Sequence, residues 1–518
     1  MTPSNDSRVK SFPVWLRDDP ENKRWIYISM AYSILGFGLL KWAFPYPNFL
    51  PDSYSYLEAA FTNRGINMWP IGYSAFLRLF SSFTRSDTAL VLCQYLLLQS
   101  SILYLCFTIR YLLRPGKWLF AIIVGACILN PLTLFVSNFV SSDAIFAAIS
   151  IIWLTQLFWI VCRPGLWLIL RHALILVTAF TVRYNALYYP LISLSVILLA
   201  AIPLSQRAIG AAAILLLLGC FAYTNVNKYH RLTGQYQFSA FAGWQMASNA
   251  LFAYGHIHPD TTQRVPREFQ ALHRMVNTHM DSLSHLAIRP DNQLGVYYLW
   301  DDKSPLKKYL FDQWNRDSTT DWFTRWASIA PTYSAYGTWL IAHNPGAYLS
   351  HYIWPNLVSY YAPPTEFLSI YNMGSDSVSP MAKLWFDFKK AKIYSRLREL
   401  PPVAFCSVLL AITNLVFIMS FIGFWLLNGF RSSPVRFSKI IRLVGCIWIC
   451  NLLFSVLASP VVLRYQIFPM IITFVSAGML LEYLIRASQS RNPKTSDNDR
   501  SDSSEVMIHD IQNVAQPC

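Results

Sequence analysis

Apolar runs close to twenty residues long recur along this chain, and no other feature restricts its fold so tightly. A run of that length crosses the ~30 Å hydrocarbon core of a bilayer as a helix, with every backbone donor and acceptor satisfied inside the segment. Segments 25–44, 88–109, 118–137, 142–162, 166–182, 186–204, 207–225, 402–428, 439–457 and 464–485 fit that description. They predict an all-α polytopic membrane protein with about ten transmembrane helices. Composition agrees, because of 518 residues 54% are hydrophobic and only 13% charged. A soluble domain carries roughly a quarter charged residues. Segments 326–342 and 345–361 are also apolar and aromatic, but Pro331, Pro345 and Pro355 interrupt them. They read as helices on the membrane surface; as an extra pair of spans they would give twelve and keep the topology.

A formal net charge of +15 invites a nucleic-acid reading, and the placement of the charges opposes it. Basic residues cluster at span ends: Arg8, Lys10, Arg17, Lys23 and Arg24; Arg110, Arg114 and Lys117; Arg163 with Arg171; Arg207; Arg431, Arg436, Lys439 and Arg442; Arg486, Arg491 and Lys494. In a ten-span threading these all fall on one side, which the positive-inside rule makes cytoplasmic. No nucleic-acid partner is expected, and membrane lipids are. The domains are then a cytoplasmic tail 1–24, a transmembrane part 25–225 with first outer loop 45–87, an extracytoplasmic domain 226–400, C-terminal spans 401–487 and a disordered cytoplasmic tail 488–518. The pair 166–182 and 186–204 must be two helices for this parity to hold. Residues 1–24 are polar and no small-x-small site follows the first run, so it reads as a retained span and not a cleaved signal. Eight of the nine cysteines lie in or beside apolar segments, so no disulfide framework staples the polar domain.

The first outer loop opens with Pro51-Asp52-Ser53-Tyr54-Ser55-Tyr56 and continues to Asn67-Met68-Trp69-Pro70-Ile71-Gly72-Tyr73. A carboxylate just beyond a first span is placed to act as a general base at the membrane surface. The same residues fit a helix cap, with Asp52 or Ser53 starting a short helix over Tyr54 to Phe61. Asp143, in Ser141-Ser142-Asp143, stands at the second outer loop with the same pair of readings. The two carboxylates share a side, a placement that lets them converge on one site or on one divalent cation. Arg183 and Arg464 break the charge rule by lying on the outer side. Membrane anchoring explains each singly; together they also suit a lipid-linked phosphate, which a guanidinium binds bidentately. Arg64 and Arg78 are further basic candidates in the first loop. His256, His258, His343 and His351 lack the spacing of a metalloprotease helix, and no P-loop, dinucleotide fingerprint or G-x-S-x-G elbow occurs. An ATP-driven pump and a serine hydrolase are thereby disfavoured.

This layout resembles the GT-C class of integral membrane glycosyltransferases, which includes protein O-mannosyltransferases and the aminoarabinose transferase of lipid A. In that class an acidic residue lies in a long first outer loop with surface helices, and a second at the second outer loop. A basic residue marks the outer turn between short fifth and sixth spans, and a soluble domain lies toward the C-terminal end. Asp52, Asp143 and Arg183 match those positions, and Trp69-Pro70-Ile71-Gly72-Tyr73, Asn185-Ala186-Leu187-Tyr188-Tyr189-Pro190 and Arg464-Tyr465 also look like the class. The likeness covers the first seven spans and not the outer domain. It departs in having a lone Asp at the second acidic site, and Arg where several subfamilies carry Lys.

The resemblance implies an enzyme of a bacterial cytoplasmic (inner) membrane that moves a sugar from a polyprenyl phosphate to a lipid, glycan or protein acceptor at the outer face. Asp52 would take the hydroxyl proton, with inversion, and Asp143 would assist. Arg183 and Arg464 would hold the departing phosphate, with Arg64, Tyr54, Trp69, Tyr73 and Tyr465 completing the substrate-binding set. Two other classes fit the span count. A lipid-linked glycan polymerase or ligase would work through Arg and His in the late loop. A flippase or transporter would carry ionisable residues near the bilayer midplane.

Overall fold

A computed structural model describes residues 10–257, 264–292, 294–314, 320–399 and 401–490. Among the described residues, eight helices are long and apolar enough to cross a membrane: Pro20–Ala43, Asp87–Leu113, Lys117–Ser137, Asp143–Cys162, Leu204–Thr233, Val403–Leu426, Val435–Ala458 and Ile467–Gln489. Two shorter apolar helices, Leu166–Val182 and Tyr184–Leu198, lie between the fourth and fifth of these. The chain is an all-α, multi-pass membrane protein. Burial sorts the helices by position: 78% of the apolar window of Asp143–Cys162 is inside the molecule, against 17% for Leu204–Thr233. The first is central, while the second exposes Leu215 and Leu216 on a lipid-facing surface.

Local chemistry explains where the helices start and stop. Ser86 Oγ accepts from Ala89 N at 3.2 Å and starts Asp87–Leu113, which ends at Arg114 in a left-handed conformation (φ 50°). Within the third span the helix breaks at Asn130-Pro131, and Asn130 Oδ1 accepts from Leu132 N at 2.9 Å to restart it. Pro131 has no N–H to donate, so the break leaves that position without an unsatisfied donor. Segment 166–198 is two helices, because Arg183 is extended (φ −152°, ψ 140°) between them. The sequence-based boundary at 225 falls short, since Leu204–Thr233 continues for two more turns before Gly234 (φ 72°) ends it. Only glycine adopts that conformation without cost.

A second apolar core, built around Trp244, Trp326, Tyr298, Tyr333 and Tyr336, belongs to the polar half of the chain. Segment 326–342 divides at Ile329, and Ala330–His343 packs one face, with Tyr333, Tyr336 and Leu340, into this core along Ala240–Tyr254 while leaving Thr338 and His343 exposed. Two glycines permit the close crossing. A Cβ on Gly243 would lie 2.1 Å from the Ala330 carbonyl oxygen, and one on Gly337 would lie 2.7 Å from the Met246–Ala247 backbone. Residues 345–361 form a bent rod with a single π turn, Leu349–Ile353, and its end packs on Val435–Ala458. The tail 491–518 lies outside the described residues. Overpacking a backbone-to-backbone crossing costs about 1–3 kcal/mol. Gly337→Ala is therefore expected to lower the thermal midpoint of purified protein, and to speed proteolysis within 240–343 while leaving the transmembrane fragments intact.

Candidate functional site

Backbone hydrogen bonds bring the two loop carboxylates, Asp52 and Asp143, together. Asn48 N donates to Asn138 O at 2.8 Å and Val140 N donates to Asn48 O at 3.0 Å, so the first loop lies against the 138–142 turn as a parallel bridge. Gln94 Nε2 holds that turn from beneath, donating to the carbonyls of Ser137 (2.9 Å) and Phe139 (3.0 Å). Tyr73, one of the predicted substrate-binding residues, is fully buried and donates to Gln94 Oε1 at 2.8 Å. It supports the floor of the site and does not line it.

Neither carboxylate is used as a cap. Leu50 N donates to Ser53 Oγ at 2.9 Å, so Ser53 takes that task for helix Pro51–Phe61. Asp52 is left free to face Arg464, whose Nη2 donates to Asp52 Oδ2 at 3.1 Å. Asp143 begins Asp143–Cys162 and is ion-paired to Arg183, while Arg464 Nη1 lies 3.8 Å from its other oxygen. Ser141 Oγ donates to Asp143 Oδ2 at 2.9 Å. Tyr465 lies beside both guanidiniums, with ring centroid distances of 4.3 Å to Arg183 and 4.7 Å to Arg464. Four elements distant in sequence thus meet in one alternating cluster of two carboxylates and two arginines. The Asp143 and Arg464 side chains are only 3% and 10% exposed. Burial works against the charge on Arg183, and adjacent Asp143 more than offsets it, holding the guanidinium above its ordinary proton affinity.

Beside this cluster a small cleft, with a cavity volume of about 20 Å³, is lined by Asp143, Arg183, Asn185, Tyr188, Tyr189, Asn451, Ser455, Arg464 and Tyr465. Asn451 accepts from the Tyr188 hydroxyl at 3.1 Å and donates to the Tyr360 hydroxyl at 2.9 Å. One donor is unused: Arg464 Nε is buried and has no hydrogen-bond partner among the described residues. A buried donor left unpaired costs free energy that a ligand acceptor would recover.

The other predicted residues lie further out. Tyr54 stacks on Phe49 at 5.8 Å, and Arg64 pairs with Glu58 at 3.0 Å and covers Phe323; neither reaches the cluster. Arg78 bonds to Asn63 at the surface. Trp69 packs on Tyr56 (6.5 Å) and on Phe241 (4.8 Å), between the site and the polar domain. Of the histidines, His256 stacks on His351 at 4.9 Å and exposed His343 bonds to the Trp339 carbonyl. His258 lies outside the described residues. Asp52 and Asp143 already face guanidiniums, and among the described residues no group of three His, Cys, Asp or Glu side chains is arranged to hold a metal.

Four participants escaped the sequence reading. Tyr56 is buried with its hydroxyl 3.0 Å from Ser142 Oγ. Asn451 and Ser455 are polar residues one turn apart inside an apolar span, a signal the sequence carried. Glu366 sits in a left-handed conformation (φ 42°) that is uncommon for a side-chain-bearing residue. Its loop is held by Leu463 N donating to Pro364 O at 3.0 Å, next to Arg464. Burial raises its proton affinity, which the Arg464 charge and the Gly295 N–H only partly oppose.

No family model, curated protein or solved structure matches the chain. Breaking a buried ion pair from one side strands the other charge at a cost of about 3–5 kcal/mol. Asp143→Asn is therefore expected to destabilise the purified protein strongly. Adding Arg183→Gln should recover part of that loss, and a double-mutant cycle on thermal unfolding measures the coupling.

Proposed function

We propose that this protein is an inverting, GT-C-type glycosyltransferase that takes a sugar from a polyprenyl-phosphate donor at the outer face of a bacterial cytoplasmic membrane. The observation that carries this reading is the cleft beside the charged cluster, with a buried and unpaired Arg464 Nε at its wall. In this reading the chain crosses ten times, the two short helices included, with both termini in the cytoplasm. The cluster and the polar domain then lie on the outer side, where the domain selects the acceptor.

The donor phosphate enters between Arg183 and Arg464, and the polar wall of Asn451 and Ser455 receives the sugar or phosphate oxygens. Arg464 then turns part of its hydrogen bonding from Asp52 to the phosphate. That exchange raises the basicity of Asp52 at the moment the donor is in place. The acceptor hydroxyl attacks the anomeric carbon, its proton passes to Asp52, and the bond from that carbon to the phosphate oxygen breaks. The electron pair leaves with the polyprenyl phosphate, whose charge the two arginines stabilise. Asp143 holds both guanidiniums in position. No step requires a metal ion.

Removing a general base typically costs about 10²–10⁴-fold in rate. Asp52→Asn is expected to lose that much sugar transfer from a radiolabelled polyprenyl-phosphate donor, in membranes matched for protein content and thermal stability. Arg183→Gln should weaken donor use, read as a raised KM. Undiminished transfer by Asp52→Asn would remove the general-base role. Loss confined to His343 or His351 variants would point to the polymerase or ligase class instead.

A further inference from the structure

Between positions 383 and 398 the chain carries Lys383, Lys389, Lys390, Lys392, Arg396 and Arg398, with Asp387 as the lone acid. All six cations are exposed. Lys392 pairs with Asp376 at 3.6 Å, and Asp387 is taken by Arg85 at 3.5 Å. The remaining five cations have no ion pair among the described residues. Such a density of like charge is self-repelling, and an anionic partner relieves it.

The segment is a hairpin of fixed shape. Val378 N donates to Ala391 O (2.9 Å), Ile393 N to Asp376 O (2.8 Å) and Tyr371 N to Arg398 O (2.9 Å). It is pinned to the end of a membrane-spanning helix, because Arg396 N donates to Ala43 O at 2.8 Å and the Arg396 guanidinium covers Trp42 at 5.6 Å. Helix Pro20–Ala43 ends there, which sets Arg396 at the end of that apolar span. Two large apolar side chains of the same segment are also exposed, Leu384 at 52% and Tyr394 at 57%. Mixed basic and aromatic surface at that depth matches the headgroup region, where charge meets lipid phosphates and apolar rings enter the acyl boundary. A soluble anion would find no use for the exposed leucine and tyrosine.

We propose that the hairpin 370–399 is a docking surface for anionic lipid headgroups. It also braces the catalytic helix of the proposed reaction. Phe49 packs on Phe386 (6.1 Å) and on Tyr54 (5.8 Å), and Tyr46 packs on Phe388 (5.4 Å), which joins the hairpin to the start of the helix bearing Asp52. Lipid binding at the hairpin therefore seats the first outer loop on the bilayer. The inference stands independently of the sugar-transfer reading, because it rests on charge and depth alone.

The test uses full-length protein in nanodiscs of phosphatidylcholine, with or without phosphatidylglycerol, and reads amide hydrogen exchange over 370–399. Each Lys near an anionic surface strengthens attraction appreciably, so phosphatidylglycerol is expected to slow exchange by roughly fivefold or more in this segment. The triple variant Lys389→Gln, Lys390→Gln, Lys392→Gln should lose most of that protection, and arginine at the same three positions should restore it. Equal exchange in the two lipid compositions overturns the proposal. So does protection that inorganic phosphate reproduces in pure phosphatidylcholine at matched ionic strength, which would assign the surface to soluble anions. Sugar transfer surviving in a triple variant that has lost protection leaves the proposed reaction standing, so the two readings fail separately.

Discussion

Two carboxylates and two guanidiniums buried in one alternating cluster tie together parts of the chain that nothing else brings into register. Arg464 precedes the last span, Asp52 follows the first, Asp143 opens the fourth and Arg183 interrupts the short helices. Asp143, only 3% exposed, would be costly to bury without a counter-charge, and the partly exposed Asp52, Arg183 and Arg464 share that requirement to a lesser degree. The cluster is therefore a registration device as well as a chemical one. A bundle of apolar helices can slide and rotate with little penalty, since lipid and protein are comparably apolar. Four interlocked charges remove that freedom at one end.

What surrounds the cluster follows from that requirement. The bridge between Asn48 and Phe139 sets the two carboxylate-bearing loops side by side, and the Tyr73–Gln94 hydrogen bond fixes the turn beneath them. Tyr465 supplies an aromatic face to both guanidiniums where water would otherwise be needed. Pairing is nevertheless incomplete, with one Arg464 donor unmatched and Glu366 nearby in a strained backbone conformation. Such residues persist where surrounding structure holds them in place, and they concentrate at sites that bind or react.

The polar domain joins this centre through surfaces of different character. Trp69 meets Phe241 and Trp300 on one side, an aromatic contact between first loop and domain. On the other, the basic hairpin holds the exit of the first span. The centre is thus enclosed by the bundle below, by the domain above and by a charged margin at the membrane surface.

Hydropathy alone marked every apolar segment of the bundle, because a bilayer leaves backbone groups no partner except within a helix. It also marked Asp52, Asp143, Arg183 and Arg464, since charges at the ends of apolar runs stand out against them. Chain pattern was silent on which of the loop residues approach those four. Tyr54, Arg64 and Tyr73 looked equivalent to Tyr465 in one dimension, yet only Tyr465 joins the cluster. Glu366, Tyr56 and the pocket wall of Asn451 and Ser455 arrive through contacts between elements far apart in sequence, as in Tyr56 with Ser142 and Tyr188 with Asn451. Side-chain direction in those contacts depends on how helices rotate and where they break, at Pro131 and Arg183 above all. Sequence determined that the chain must be a helical bundle with charges near its ends. Tertiary packing decided which charges meet, because only the folded bundle lets each buried ion pair with its opposite.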